Sequence, residues 1–100
     1  MSGKLIMTWD ILPEREQEYF EFVVREFLPA VQKLGFKLSD AWVTVYGEYP
    51  QILVGAVLPT INRVAETIQS KKWQSLENKL FDFVSDYEVK IVEAKSSFQF

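Results

Sequence analysis

Residues 38–58 read LSDAWVTVYGEYPQILVGAVL, and the way this stretch folds decides the rest. Ala41, Val43 and Val45 alternate with Trp42, Thr44 and Tyr46, the period of two that sends neighbouring side chains to opposite faces of a sheet. Gly47 and Pro50 punctuate a turn, and Gln51 closes it; such punctuation between two apolar runs marks a hairpin. The second run, Ile52 to Leu58, is apolar almost throughout, as in a strand covered on both faces. Gly55 in its middle predicts a bulge or the close approach of something bulky.

On the N-terminal side, residues 5–12 form a first strand, with Leu5, Met7, Trp9 and Ile11 on one face and Ile6, Thr8 and Asp10 on the other. Pro13 suits the first turn of a helix, and Glu14 and Glu16 complement its positive end. The helix is expected to run to about Leu34 on a stripe of Phe20, Val23, Val24, Phe27, Val31 and Leu34, with Gly35 as its stop. Pro29 cannot continue a regular helix without losing a hydrogen bond to the Arg25 carbonyl, so a kink or a fresh helix start is expected there.

On the C-terminal side, Thr60 is a candidate N-cap for a helix with Ile61, Val64, Ala65 and Ile68 on its inner face. The stripe restarts after Ser70 with Trp73, Leu76, Leu80, Phe83 and Val84, so two helices joined near Gln69 and Ser70 fit better than one rod. A last strand covers residues 87–95, with Tyr87, Val89 and Ile91 set against Glu88, Lys90 and Val92. The tail, residues 96–100, keeps alternating through Phe98 and Phe100. This continuation predicts that it docks on a partner subunit, because two aromatic side chains on a free end would be wasted in water.

The order βαββαβ is the ferredoxin-like α+β arrangement: a four-stranded antiparallel sheet with its helices on one face. One hundred residues make a single domain, 1–100, able to bury a core without crosslinks. The uncovered sheet face would carry Ile6, Thr8, Trp42, Thr44, Tyr46, Val92 and half of the third strand, more apolar surface than a soluble monomer shows. Two such sheets packed face to face would cover it and leave a cavity between them, which predicts a homodimer.

The composition narrows the chemistry. Cysteine and histidine are both absent, so disulfides, thiol catalysis, Ser-His or Cys-His nucleophiles and the commonest zinc and haem ligands are excluded. A net charge of −3 argues against nucleic acid, which is bound by clustered Lys and Arg. Residues 1–4 lack the apolar core of a leader, and no run reaches the length of a membrane span. A cytoplasmic protein with no membrane partner, no metal and no cofactor is expected. The aromatic share, 15% with three Trp and eight Phe, is high for the size.

Three segments carry a family resemblance. Residues 28–38, LPAVQKLGFKL, resemble the end of the first helix in the NIPSNAP-like branch of the dimeric α+β barrel superfamily. Trp42 followed by Gly47 resembles its Trp-to-Gly strand, and Ser70, Trp73 and Leu76 match its Ser-x-x-Trp-x-x-Leu helix restart. The resemblance spans residues 5–95. It implies a homodimer whose two sheets form a shared barrel. The superfamily also holds cofactor-independent monooxygenases of antibiotic biosynthesis and haem-degrading enzymes. The haem enzymes rely on histidine, which this chain lacks, and Gly55-Ala56 stand where many relatives have aromatic or polar residues.

The expected ligand is a small aromatic or apolar molecule held between the two sheets. Trp42, Thr44 and Tyr46, with Thr8, would form its wall; equally, they could simply fill the dimer core. Asp10 and Tyr46 are the candidates for catalysis, although a strand-end Asp is more often just solvated. Asn62 and Arg63 at a helix start could meet a polar group of the ligand, or serve solubility alone. Glu88 and Lys90 read as an exposed pair, and Trp73 as structural. If the protein is an enzyme, it is of the cofactor-independent oxygenase type; the alternative is a structural dimer with a filled barrel.

Overall fold

The computed structural model describes residues 2–43 and 51–94. The turn of the central hairpin, with Thr44 and Tyr46, and the docking expected of the tail lie outside the described residues. The elements are β1 (Ser2–Ile11), α1 (Glu16–Phe22), a π-helical segment (Val23–Phe27), α2 (Leu28–Lys33), β2 (Lys37–Val43), β3 (Ile52–Leu58), α3 (Ile61–Ile68), α4 (Lys71–Leu80) and β4 (Val84–Ala94). The strands form one antiparallel sheet in the order β2-β3-β1-β4. This is the ferredoxin-like α+β fold, with β1 and β3 at the centre.

The alternation of β1 sets the two faces. Leu5, Met7 and Trp9 are fully buried under the helices, while Lys4, Ile6 and Thr8 point to the other side and stay half-buried. Register carries the division into the neighbours. Leu5 and Met7 pair with Ala56 and Val54 of β3 and with Ile91 and Val89 of β4, all on the helix side. The core that results is apolar throughout, with no buried charged residue among the described ones.

The first helix departs from expectation at Pro13 and follows it at Pro29, where a kink or a fresh start was expected. It begins at Glu16, not at Pro13, because Pro13 and Glu14 form a turn closed by Arg15 N–H to the Leu12 carbonyl at 3.1 Å. Glu14 sits there at φ +69°, a conformation no helix contains. Ahead of Pro29 the helix widens into the π segment, in which the Leu28 N–H reaches the Val23 carbonyl five residues back. Pro29 then falls in the first turn of α2, where a missing N–H costs nothing. The other helix starts follow the sequence: Thr60 Oγ1 accepts the Arg63 N–H at 3.1 Å, and Ser70 Oγ accepts the Trp73 N–H at 3.2 Å.

The last helix ends at Leu80, short of Phe83 and Val84, and β4 starts at Val84, three residues before the expected Tyr87. A bulge explains the misreading. Asp86 lies in the left-handed region at φ +54°, and the pairing with β1 shifts between Thr8 and Asp10. The alternation therefore breaks at Asp86 and resumes at Tyr87, which looks like a strand start in sequence.

Two glycines are close-approach positions of different kinds. A Cβ on Gly3 would lie 2.5 Å from the Ile61 Cα and 2.7 Å from Val64 Cγ2, so α3 itself would have to move. A Cβ on Gly55 would lie 2.8 Å from Asp40 Oδ2 and 2.9 Å from Lys4 Cε, both ends of flexible side chains. Gly3→Ala should therefore cost about 2–3 kcal/mol as an overpacked core site. Gly55→Ala should cost less than about 1 kcal/mol, the value of a partly exposed ion pair. Urea denaturation of the two variants measures the difference; equal losses would contradict the packing described.

Candidate functional site

The open face of the sheet, expected to be the ligand wall, is a mixed surface. Trp42, Leu53, Thr8 and Glu88 lie in one row across the four strands, followed by Asp40, Gly55, Ile6 and Lys90. Thr8 and Trp42 thus share a face, separated by Leu53, and Trp42 is 61% exposed in the single chain. Lys4 of β1 and Asp40 of β2 form an ion pair over the bare backbone of Gly55. Strands two apart in a sheet are separated by about 9–10 Å, so the bridge needs a residue without a side chain between them. The hydrogen bond from Lys4, then its charge, holds the Asp40 carboxyl below the usual carboxylate range. A bulge at Ser39 puts Asp40 on this face while Leu38 faces the helices.

Asp10 is held by structure. Its Oδ1 accepts the backbone N–H of Gln51 at 2.8 Å, and Gln51 Oε1 in turn accepts the Ile11 N–H at 3.0 Å. The reciprocal pair clamps the end of β1 to the start of β3, which gives Asp10 a structural task. Asn62 and Arg63 stand exposed at the start of α3. That helix covers Gly3 on the helix side of the sheet, so the fold does not bring Asn62 and Arg63 together with Thr8 and Trp42.

The cavity among the described residues that suits an apolar molecule lies on the helix side instead. It is a groove of about 260 Å³ between α1 with its π segment and the edge of the sheet at β2 and β3. Phe20 and Val24 stand on the helix wall, 52% and 64% exposed, and Val43 and Leu38 on the strand wall, Val43 at 70%. These were expected, in the case of Phe20 and Val24, to be core. The core side of the helix is instead Tyr19, Phe22 and Phe27, all buried. The sequence held a signal for this: apolar residues at positions 19, 20, 22, 23, 24, 27 and 28 are more than one helix face can bury against one sheet.

Tyr19 joins the groove to the core. It is 2% exposed, contributes to the groove lining, and its hydroxyl oxygen accepts the Trp9 Nε1–H at 2.9 Å. Burial raises its pKa above the ordinary tyrosine value, with the Trp9 hydrogen bond pulling partly the other way. At neutral pH the hydroxyl is therefore a protonated donor and a poor base. On the far side of Trp9 lies Tyr87, stacked on it at 6.1 Å between ring centroids. Tyr87 donates to Glu77 Oε2 at 2.6 Å; burial first, and then the Glu77 carboxylate, push its pKa far up.

No protein-family model matches the sequence, and no curated protein matches it significantly. Solved structures do match. A NIPSNAP family protein from Agrobacterium tumefaciens superimposes with a TM-score of 0.71 over 94% of this chain and 86% of its own, at 20% identity. An ethyl tert-butyl ether d family protein from Bacillus halodurans gives 0.68 over 95% and 100%, at 19% identity. A Bacteroides fragilis protein of unknown function, described as dimeric with a ferredoxin-like fold, gives 0.64 over 93% and 96%, at 12% identity. At such identities the fold is what is shared. The chain has the ferredoxin-like fold of the NIPSNAP-like structures, and the resemblance read from its motifs holds at that level.

The buried Tyr19 and the half-buried Tyr87 fix an alkaline limit. In the unfolded chain tyrosine ionises near pH 10, whereas both folded pKa values are raised. Their contribution is thus intact below about pH 10 and is lost as the pH rises through it, at roughly 1.4 kcal/mol per pH unit for each group. Urea midpoints measured from pH 8 to 11 should fall above pH 10, and Tyr87→Phe should flatten the fall. A flat profile in the parent would contradict the burial described.

Proposed function

We propose that the protein binds a small apolar or aromatic molecule in the groove between α1, the π segment and the β2–β3 edge, and that it does so as a homodimer joined through the open sheet faces. The observation that carries the first half is the concentration of exposed apolar side chains on both walls of one groove. Among the described residues, four of the large hydrophobic side chains that stand exposed, Phe20, Val24, Leu38 and Val43, line it from the helix side of the sheet. A cavity of about 150 Å³ holds benzene, so 260 Å³ suits a molecule of one or two rings. The π segment supports the reading, since such widened turns recur at functional sites.

The second half rests on Ile6, Leu53, Val57 and Val92, apolar residues on the sheet face that no helix covers. It also draws on the dimeric description of the Bacteroides fragilis structure. No catalytic step is part of this reading: burial keeps Tyr19 protonated, and Asp10 is committed to Gln51.

Titration with 1-naphthol, followed by calorimetry, tests the groove. Saturable binding near one molecule per chain is expected. Val24→Glu or Val43→Glu should weaken it at least tenfold by placing a charge in an apolar wall, while Thr8→Lys on the open face should leave it unchanged. Loss of binding in Thr8→Lys with retention in Val24→Glu would move the site to the space between the sheets and overturn the proposal.

Light scattering tests the dimer. Val57 points to the open face, and Val57→Lys should yield folded monomer. Val54, one position off in phase, is buried under the helices, and Val54→Lys should unfold the chain instead. A Val57→Lys variant as dimeric as the parent would place the interface elsewhere.

A further inference from the structure

A second groove runs along the outer surface of the helical layer, between α2 and α4, with a volume of about 470 Å³. Its floor is Leu34 and Leu76, and its rim carries Lys33, Lys71, Lys72 and Lys79, all exposed. Four of the eight lysines of a chain with net charge −3 are therefore gathered on one groove. Among the described residues no Asp or Glu lines it, and Glu26 stands 3.6 Å from Lys79 at one end. Nothing in the ligand groove or the sheet face accounts for this separation of charge.

We propose that this groove is a docking surface for an acidic amphipathic helix of a protein partner. Spacing chooses the occupant. Lys71 and Lys72 lie at one end of α4 and Lys79 seven residues on, roughly 11 Å apart at the helical rise. One phosphate or carboxylate cannot engage both ends, whereas a helix with Glu or Asp on successive turns reaches the whole rim. The apolar floor between two helices is the shape into which a third helix lays an apolar stripe, read as anchors at i, i+3, i+4 and i+7. Paired rim charges steer such an encounter and set its register. A nucleic acid strand would also present spaced charges, but no aromatic side chain lines the groove for base stacking. A lipid surface is flat and would not reach a recessed floor. The proposal is independent of the ligand groove, with which it shares no lining residue.

The probe is a fluorescein-labelled helical peptide with Leu at i, i+3, i+4 and i+7 flanked by Glu, read by anisotropy and by amide shifts in an HSQC spectrum. Expected are saturable binding, shifts centred on Leu34, Lys72 and Leu76, and roughly a tenfold loss of affinity in the Lys33→Glu/Lys72→Glu variant. A scrambled peptide and a Gln-for-Glu peptide should bind at least as weakly as that. The variant changes two exposed side chains, and an unchanged melting curve verifies its fold. Absence of saturable binding, equal binding of the scrambled peptide, or shifts elsewhere on the surface would overturn the proposal. So would stronger lysine-dependent binding to a single-stranded oligonucleotide or to phosphatidylserine vesicles.

Discussion

Trp9 is the contact on which the remaining packing depends. It is fully buried at the end of the central strand, and its ring meets three elements at once. It packs edge-on against Tyr19 of α1 at 6.4 Å and Phe27 of the π segment at 5.8 Å, and it stacks on Tyr87 of β4. Aromatic pairs of this kind add to the burial of their area, and a buried indole N–H needs a partner. Here the partner is the Tyr19 hydroxyl, so the hydrogen bond that satisfies the core also orients a groove residue. Phe27 passes the packing on to Trp73, and Trp73 to Phe36, which locks α4 and the approach to β2 onto the same centre.

The constraint on the other side of the sheet is electrostatic. The Lys4–Asp40 bridge crosses β3 only because Gly55 offers no side chain. It is compatible with one pairing register of the edge strand, and a slip of one residue would reverse every side chain of β2. The bulge at Ser39 completes this arrangement by giving Asp40 to the open face and Leu38 to the groove. A single bulge thus serves both surfaces.

Much of this was legible in the sequence because it rests on local periodicity. Strand β3, the N-cap at Thr60, the helix restart after Ser70 and the two faces of β1 all follow from spacing within a few residues. Gly55 was legible as a close approach, though the identity of the neighbour was not, since Lys4 and Asp40 are distant in the chain. The site was less legible. Phe20 and Val24 have the spacing of core residues, and only the excess of apolar positions on the helix hints that they stay uncovered. Tyr19 gave no signal, because its role depends on Trp9 ten residues earlier. Asp10 looked like a candidate base for want of any sign that Gln51, 41 residues on, would occupy it. The lysine groove is likewise assembled from two separate helices, neither of which is basic enough to stand out alone.

The proposed groove would hold a ligand beside the core, and the proposed dimer would use the open sheet face. Intermolecular NOEs between 1-naphthol and methyl-labelled protein test that placement most directly. Cross-peaks are expected to the methyl groups of Val24, Leu38 and Val43 and none to those of Ile6 and Val57. Cross-peaks to Ile6 and Val57, with none to Val24, would contradict that placement.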